Sequence, residues 1–395
     1  MNRKDFIRSC SAGAFCFLAE GPLGAFAAAD DPNLYPRTTP FPQPVRRADG
    51  SYSVVLLGDI HFDGTDPQTY HANYPNENET AANVETQRKE FARNAEMWSA
   101  RLPSLLAAAG RSRRADTAFV LQLGDLVQGD CNDSAVHKQM CEDAVSAIRS
   151  GVGSGVPIAL VVGNHDIRNG ASSNSEENNY RSWFVKRMQS ELSVNAANFN
   201  SANFWRMQGP DLWIHVDFTK PSRVLDFVEA ALAAGSGARY KFLVTHAPAL
   251  PPDTGNYTAM LMRNTTASDY TKQRRQLRTM LLRNDVIVLA GHIHTTELAE
   301  VVTDDGRITQ LTASCVWTKD GMRNLVKTHS TPAQYGDRQT TDAGRSYLGE
   351  YKGAMTRYFR STAAGFFRLE VSPKGVAANF FGGDADQPSA TWLLR

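Results

Sequence analysis

The sequence predicts an α/β fold, with buried strands covered on both faces by helices, on three observations. Short apolar, β-branched runs alternate with longer stretches of helical period from Tyr52 onward. Several of those runs stop abruptly at Gly-Asp, Gly-Asn-His or Gly-His, where a strand gives way to a turn. After Glu297 the pattern changes to alternating strands. A chain of 395 residues with 42% hydrophobic content can bury one large core, or one core and a smaller appendage.

Residues 1–29 read as an export signal: Arg3, Lys4 and Arg8 precede the apolar "SAGAFCFLA", and "AFAAADD" offers small residues in an A-x-A pattern. "NRKDFIRS" is similar to a twin-arginine signal with Lys4 at the second arginine, so the expected location is periplasmic or secreted. Cleavage near Ala27–Ala29 would leave a chain with no net formal charge, against +1 for the whole sequence. Such a chain has no global field to draw nucleic acid or an anionic membrane. Beyond this segment no run approaches the roughly 18 apolar residues that cross a bilayer. Cys10 and Cys16 fall inside the signal; Cys131 and Cys141 are close enough to pair, the alternative being buried free thiols along with Cys315.

Residues 30–50 are Pro-rich and polar, an extended lead-in. The core is expected over 51–300. Its strands are "SVVLLG", "TAFVLQLG", "PIALVVG", "LWIHVDFT", "YKFLVTH" and "DVIVLAGH". Between them lie helical stretches: residues 84–110, broken near Pro103, then 134–151, 179–193, 222–235 and 269–284. Residues 301–395 are expected to complete the core with "LAEVVTDDGRITQLTAS", turning at Asp304-Asp305-Gly306, and "AAGFFRLEVSPKGVAANFFG". Between those, 317–360 reads as a polar cap loop.

Five apolar runs end in potential metal ligands. "LLGDIH" supplies Asp59 and His61, "LQLGDLVQGD" Asp125, "VVGNHD" Asn164, His165 and Asp166, "LVTHAP" His246, and "LAGHIH" His292 and His294. In open α/β sheets, ligands collect at the carboxyl ends of strands, so these turns can face one crevice. Five of the chain's nine histidines lie in these blocks, which core packing does not require. Imidazoles, carboxylates and one amide oxygen suit zinc, iron or manganese, and they are too many for a single tetrahedral zinc.

Taken together, D-x-H, G-D, G-N-H-D, H and G-H-x-H, in that order over roughly 52–297, closely resemble the calcineurin-like metallophosphoesterase superfamily. The resemblance implies a two-sheet α/β/β/α sandwich and a binuclear centre of two divalent or trivalent ions. It also implies hydrolysis of phosphomonoesters or phosphodiesters by a metal-bound hydroxide. Position by position, it gives the first metal Asp59, His61 and His294, the second Asn164, His246 and His292, and makes Asp125 the bridge. His165 is then the catalytic histidine, with Asp166 as its orienting partner. The expected partner is a small phosphorylated substrate. A scaffold protein on the same fold and a single-zinc hydrolase of another class remain as alternatives.

Purple acid phosphatases carry a metal-binding tyrosine where Gln128 stands, and a further tyrosine where this chain has Thr296. The roughly 95 residues after Glu300 are too few for the large substrate domain of the superfamily's nucleotidases. Candidate specificity residues in the insertions are His71, Tyr74, Asp130, His137, Arg168, Asn169, Tyr257, Arg263, Lys319 and Arg323. His215 reads as a core histidine, and "TKQRRQLRTMLLR" as an amphipathic surface helix.

Overall fold

The computed structural model describes residues 47–170, 175–253, 260–262, 268–325 and 330–395. The export signal with Cys10 and Cys16, nearly all of the lead-in, Tyr257 and Arg263 lie outside the described residues.

Two sheets pack face to face. The first has the order β14-β13-β12-β1-β2-β3, built from β1 (Tyr52–Leu57), β2 (Thr117–Gln122), β3 (Ile158–Leu160), β12 (Gly365–Ser372), β13 (Gly375–Gly382) and β14 (Ala390–Leu393). The second has the order β11-β9-β10-β8-β7-β6-β5-β4. Its strands are β4 (Phe199–Asn200), β5 (Asn203–Gln208), β6 (Asp211–Val216), β7 (Lys241–Thr245), β8 (Ile287–Ala290), β9 (Thr296–Thr303), β10 (Gly306–Thr312) and β11 (Met355–Ser361). Strands β1-β2-β3 and β6-β7-β8-β10 pair in parallel, and the outer strands pair antiparallel.

The continuous apolar runs follow from burial on both faces. In the second sheet Trp213, Phe242, Val244, Ile287 and Leu289 point inward to meet Val54, Leu56, Phe119 and Leu121. Trp213 stacks on Phe242 with ring centroids 4.1 Å apart and meets Phe119 edge-on at 4.9 Å. The intervening Leu212, Ile214, Leu243 and Val288 point outward, under the helices Val224–Ala234, Ser268–Arg283 and Asp342–Lys352. On the other side, residues of Leu102–Arg111, Ser134–Val152 and Glu177–Leu192 join the first core. The layering is therefore α/β/β/α.

The break expected near Pro103 is a π-helical turn, Met97–Arg101, in which the Leu102 N–H reaches the Met97 carbonyl. Proline has no N–H for the ladder, and a widened turn accommodates the loss. Asp304-Asp305-Gly306 closes the β9–β10 hairpin, with Thr303 opposite Gly306.

Residues 317–360 depart from the expected loop. They contain the helix Asp342–Lys352, and β11 begins within them at Met355. Leu348, Tyr351, Met355 and Tyr358 are buried in the outer core, and the Tyr335 hydroxyl donates to the Pro251 carbonyl at 2.6 Å. The polar residues around these anchors hide a single apolar stripe. Strands β4, β5 and β14 were also not expected; in β5 the apolar Phe204, Trp205 and Met207 do not alternate with polar residues, and their burial runs from buried Phe204 to exposed Met207. Cys131, Cys141 and Cys315 are free and buried. Among the described residues no helix is long and apolar enough to cross a membrane.

Candidate metal centre

All five ligand-bearing blocks follow the carboxyl ends of parallel strands: Asp59 and His61 follow β1, Asp125 follows β2, Asn164 to Asp166 follow β3, His246 follows β7, and His292 and His294 follow β8. Because three of these strands belong to one sheet and two to the other, face-to-face packing brings the loops together. Two groups of potential ligands result, Asp59, His61, Asp125 and His294 in one, and Asp125, His246 and His292 in the other. Asp125 is common to both.

The donor atoms crowd as ligands of one ion do. Nε2 of His61 lies 3.0 Å from Nε2 of His294, which is 3.2 Å from Asp59 Oδ2. In the second group Nε2 of His246 lies 3.1 Å from both Asp125 Oδ2 and His292 Nδ1. Ligands about 2.1 Å from a cation sit about 3.0–3.4 Å apart along an octahedral or tetrahedral edge. Asn164 Oδ1 is buried and has no hydrogen-bond partner among the described residues. An orphaned acceptor beside this cluster fits a cation and is otherwise costly.

Neighbours fix which ring nitrogens face the centre. His246 Nδ1 lies 2.7 Å from the Leu123 carbonyl, and His61 Nδ1 lies 3.2 Å from Gln128 Oε1. Each acceptor keeps the proton on Nδ1 and leaves the Nε2 lone pair free. Gln128 is itself held, since its Oε1 accepts from Asn94 Nδ2 at 2.7 Å and its Nε2 donates to Glu90 at 2.9 Å. Gln128 therefore orients a candidate ligand from behind.

Electrostatics point the same way. Burial, with His165 adding to it, drives His61 well below its ordinary value; burial and His246 bring His292 down to about 4. Burial also lowers His246, but Asp125 and Asp59 outweigh it and raise this ring to about 9. Burial pushes the Asp125 carboxyl up, whereas His246, His165 and His61 hold it well below the usual range. The two buried carboxylates thus favour positive charge at this position, as a cation held there would supply.

The site stores backbone strain. His61, Asp125, His292 and His294 have φ of 40°, 49°, 71° and 49°, a region that non-glycine residues rarely occupy. Gly163 is required by close approach: a Cβ there would lie 2.0 Å from the Asp125 amide nitrogen and 2.3 Å from Asp125 Oδ1. Gly124, at φ 86°, would bring a Cβ 2.6 Å from His246 Nδ1.

Asp166 does not orient His165. Its carboxylate accepts from the Val127 and Gly163 amides at 3.1 and 2.7 Å, so it pins the turn, and burial and Asp125 raise it to about 7. The physical reason is the tightness of the turn, which directs the two adjacent side chains to opposite sides. The His165 ring instead packs edge-on against His61, and its Nδ1 faces the Gln128 carbonyl at 3.1 Å and Arg168 Nη2 at 2.8 Å. Burial and Arg168 hold His165 well below its ordinary value.

Of the insertion residues, His71 is buried against Asp63 and stacked on Phe91, which Tyr74 meets edge-on. Asp130 and Arg168 form an ion pair at 2.7 Å next to His165. Asn169 binds Glu176, and His137 lies buried between two helices. The Lys319 backbone amide donates to Glu96, and the Arg323 side chain pairs with Asp384 over Trp317. His215 stacks on Phe204 in the core, and the helix Ser268–Arg283 lays Arg274 and Arg278 over Tyr347 and Tyr351.

Sequence reasoning missed Trp98, Phe218 and the supporting role of Gln128. Trp98 Nε1, carried on the π turn, donates to the Ile60 and His61 carbonyls at 3.0 and 3.1 Å. The Phe218 ring lies 5.3 and 5.5 Å from those of His246 and His292. Phe218 follows parallel strand β6, so the strand-end rule that pointed to the candidate ligands also reaches it.

The sequence profile of calcineurin-like phosphoesterases matches residues 52–296. Among curated proteins none matches significantly. Among solved structures, a purple acid phosphatase, PPD1, from yellow lupin (Lupinus luteus) seeds is 13% identical, over 89% of this chain and 55% of that one, with a TM-score of 0.49. The chain thus spans little more than half the length of the lupin protein. A structure of PhoD is 11% identical over 89% of this chain and 70% of that one, with a TM-score of 0.49. A dimetal phosphatase from Danio rerio is 12% identical over 89% and 99%, with a TM-score of 0.46.

Proposed function

Because the chain belongs to the calcineurin-like phosphoesterase family, we propose that it is a metal-dependent hydrolase of phosphoric esters with a two-ion centre. The observation that carries this reading is the pair of ligand groups sharing one carboxylate, Asp125. In this reading Asp59, His61 and His294 hold one ion, Asn164, His246 and His292 the other, and Asp125 both. Bound there, a pair of divalent ions supplies Lewis-acid activation of water and clamps attacking and leaving oxygens. With only Asp59 and Asp125 as carboxylates in the ligand set, the loaded centre keeps net positive charge and attracts a phosphate anion into a nearly neutral protein. His165, beside the centre, is the residue placed to protonate or hydrogen-bond the departing oxygen. Zinc, iron and manganese all suit this donor set. Export through the signal at residues 1–29 is part of the proposal, and mass spectrometry of the secreted or periplasmic chain tests it by its new N-terminus.

The enzymatic test uses purified protein with p-nitrophenyl phosphate and bis-p-nitrophenyl phosphate, each with manganese, iron or zinc. Metal-stimulated turnover that falls at least about 10²-fold in Asp125→Ala and His165→Ala is expected. Turnover no greater than in those variants overturns the enzyme reading, and elemental analysis giving one ion per chain overturns the two-ion centre.

A further inference from the structure

The helices Ser134–Val152 and Glu177–Leu192 enclose a cleft of about 350 Å³. None of the residues lining it is a candidate ligand of the metal centre. Cavities of this size hold small molecules. Its walls are aromatic: the Tyr180 ring lies 5.3 Å from that of Trp183 and 6.2 Å from that of His137, centroid to centroid. Cys141 adds its thiol, 4.0 Å from His137 Nδ1.

The rim of the cleft is basic. Exposed Lys138 and half-buried Lys186 both line it, and neither forms an ion pair among the described residues. The two carboxylates nearby are already taken. Glu176 Oε1 accepts from Ser134 and from Asn169, and its Oε2 accepts from Asn179 at 2.7 Å. Glu142 accepts from Trp183 Nε1 at 2.7 Å and pairs with Arg187. An anion entering the cleft therefore meets two uncommitted ammonium groups and no uncommitted carboxylate. In the wall itself, His137 Nε2 and the Tyr180 hydroxyl are buried and make no close hydrogen bond among the described residues. Groups left so are costly, and simple helix packing gives no reason to keep two of them against one cleft.

We propose that this cleft is a second binding site, for a small aromatic carboxylate whose ring packs among His137, Tyr180 and Trp183 and whose charge is drawn to Lys138 and Lys186. Aromatic walls take a planar ring in offset or edge-on contact. A lysine ammonium attracts a carboxylate as a point charge and gives nothing comparable to a neutral group. A ringless anion would leave the aromatic walls uncovered, and a cation would meet two lysines of its own sign. The site is separate from the metal centre and stands whether or not the chain hydrolyses phosphoric esters.

The test is calorimetric titration with indole-3-acetate, indole-3-ethanol and butyrate, on the full chain both zinc-loaded and in chelator. For indole-3-acetate a Kd on the order of 0.1 mM is expected, equal with and without zinc. Indole-3-ethanol, the same ring without the charge, binds about 3- to 10-fold more weakly, and butyrate does not saturate by about 5 mM. Replacing both surface lysines, Lys138→Gln with Lys186→Gln, brings indole-3-acetate down to the affinity of indole-3-ethanol and leaves the alcohol unchanged. Ser182→Phe, which adds a ring to the wall of the cleft, abolishes binding of both. No saturation by indole-3-acetate up to about 5 mM overturns the proposal. So does equal affinity for acid and alcohol, binding that requires zinc and so belongs to the metal centre, or affinity unmoved by the lysine pair or by Ser182→Phe.

Discussion

Replacing Asn164 by alanine should change the metal-free and metal-loaded proteins in opposite directions. Without metal, the buried Oδ1 of Asn164 lacks a partner. Burying an unpaired acceptor costs about 1–3 kcal/mol, so its removal relieves strain that lost side-chain contacts only partly offset. The metal-free variant is therefore as stable as the native protein or up to about 2 kcal/mol more stable. With metal, one donor of the group around Asp125, His246 and His292 disappears. Even an outer-shell partner is worth 10- to 100-fold in affinity, so a direct ligand should cost at least about 1.4–2.7 kcal/mol of metal-dependent stabilisation. In a chain of 395 residues 1 kcal/mol moves Tm by only about 1–2 °C, so melting alone is a poor assay. Urea unfolding in chelator, combined with calorimetric zinc titration of the metal-free protein, reads both terms. The reasoning fails if metal-free Asn164→Ala loses more than about 1 kcal/mol, or if both zinc affinities stay at the native value.

Three further perturbations address the supports of the centre and the core. Gly163→Ala places a Cβ 2.0 Å from the Asp125 amide nitrogen, a backbone clash that no rotamer relieves; it should cost about 1–3 kcal/mol in urea unfolding and more than about 10²-fold in turnover, because Asp125 must shift. Gln128→Leu removes the acceptor at His61 Nδ1 and should weaken one zinc site by about 10- to 100-fold in calorimetry while sparing the site of His246 and His292. Glu297, raised by burial from 4.5 to about 8, holds a proton in the folded state that the unfolded chain releases. Its contribution is complete below about pH 4.5 and falls by about 1.4 kcal/mol per unit up to about pH 8. Glu297→Gln should flatten that slope in urea midpoints taken at pH 5, 7 and 9, gaining on the native protein as pH rises.

What could be read from the sequence follows the range of the interactions involved. The ligand blocks were legible because each couples a local signal, a buried strand ending at glycine, to a side chain of distinctive chemistry. The strand-end rule then needs no knowledge of which strands are neighbours. Asn94 and Trp98 carried no such signal. Asn94 sits 34 positions from Gln128, and Trp98 lies 38 from Ile60; their roles exist only once the helix Ala81–Glu96 and its π turn are docked against the first ligand loop. The same limit explains the error over residues 317–360, where Tyr335, Tyr351 and Tyr358 join a core drawn from distant segments, as when the Tyr335 hydroxyl reaches the Pro251 carbonyl 84 residues earlier.

The assignment of Asp166 is more informative, because the family resemblance implied a contact with His165 that the turn does not make. With the Asp166 carboxylate bonded to the Gly163 and Val127 amides, the carboxyl becomes part of the turn that delivers Asn164 and His165. The outward face of His165 is then left to whatever the neighbouring insertion provides, here Arg168 anchored by Asp130. The candidate ligand positions are set by the strand ends of the two sheets, whereas the neighbours of His165 Nδ1, the Gln128 carbonyl and Arg168, come from the loops beyond those ends.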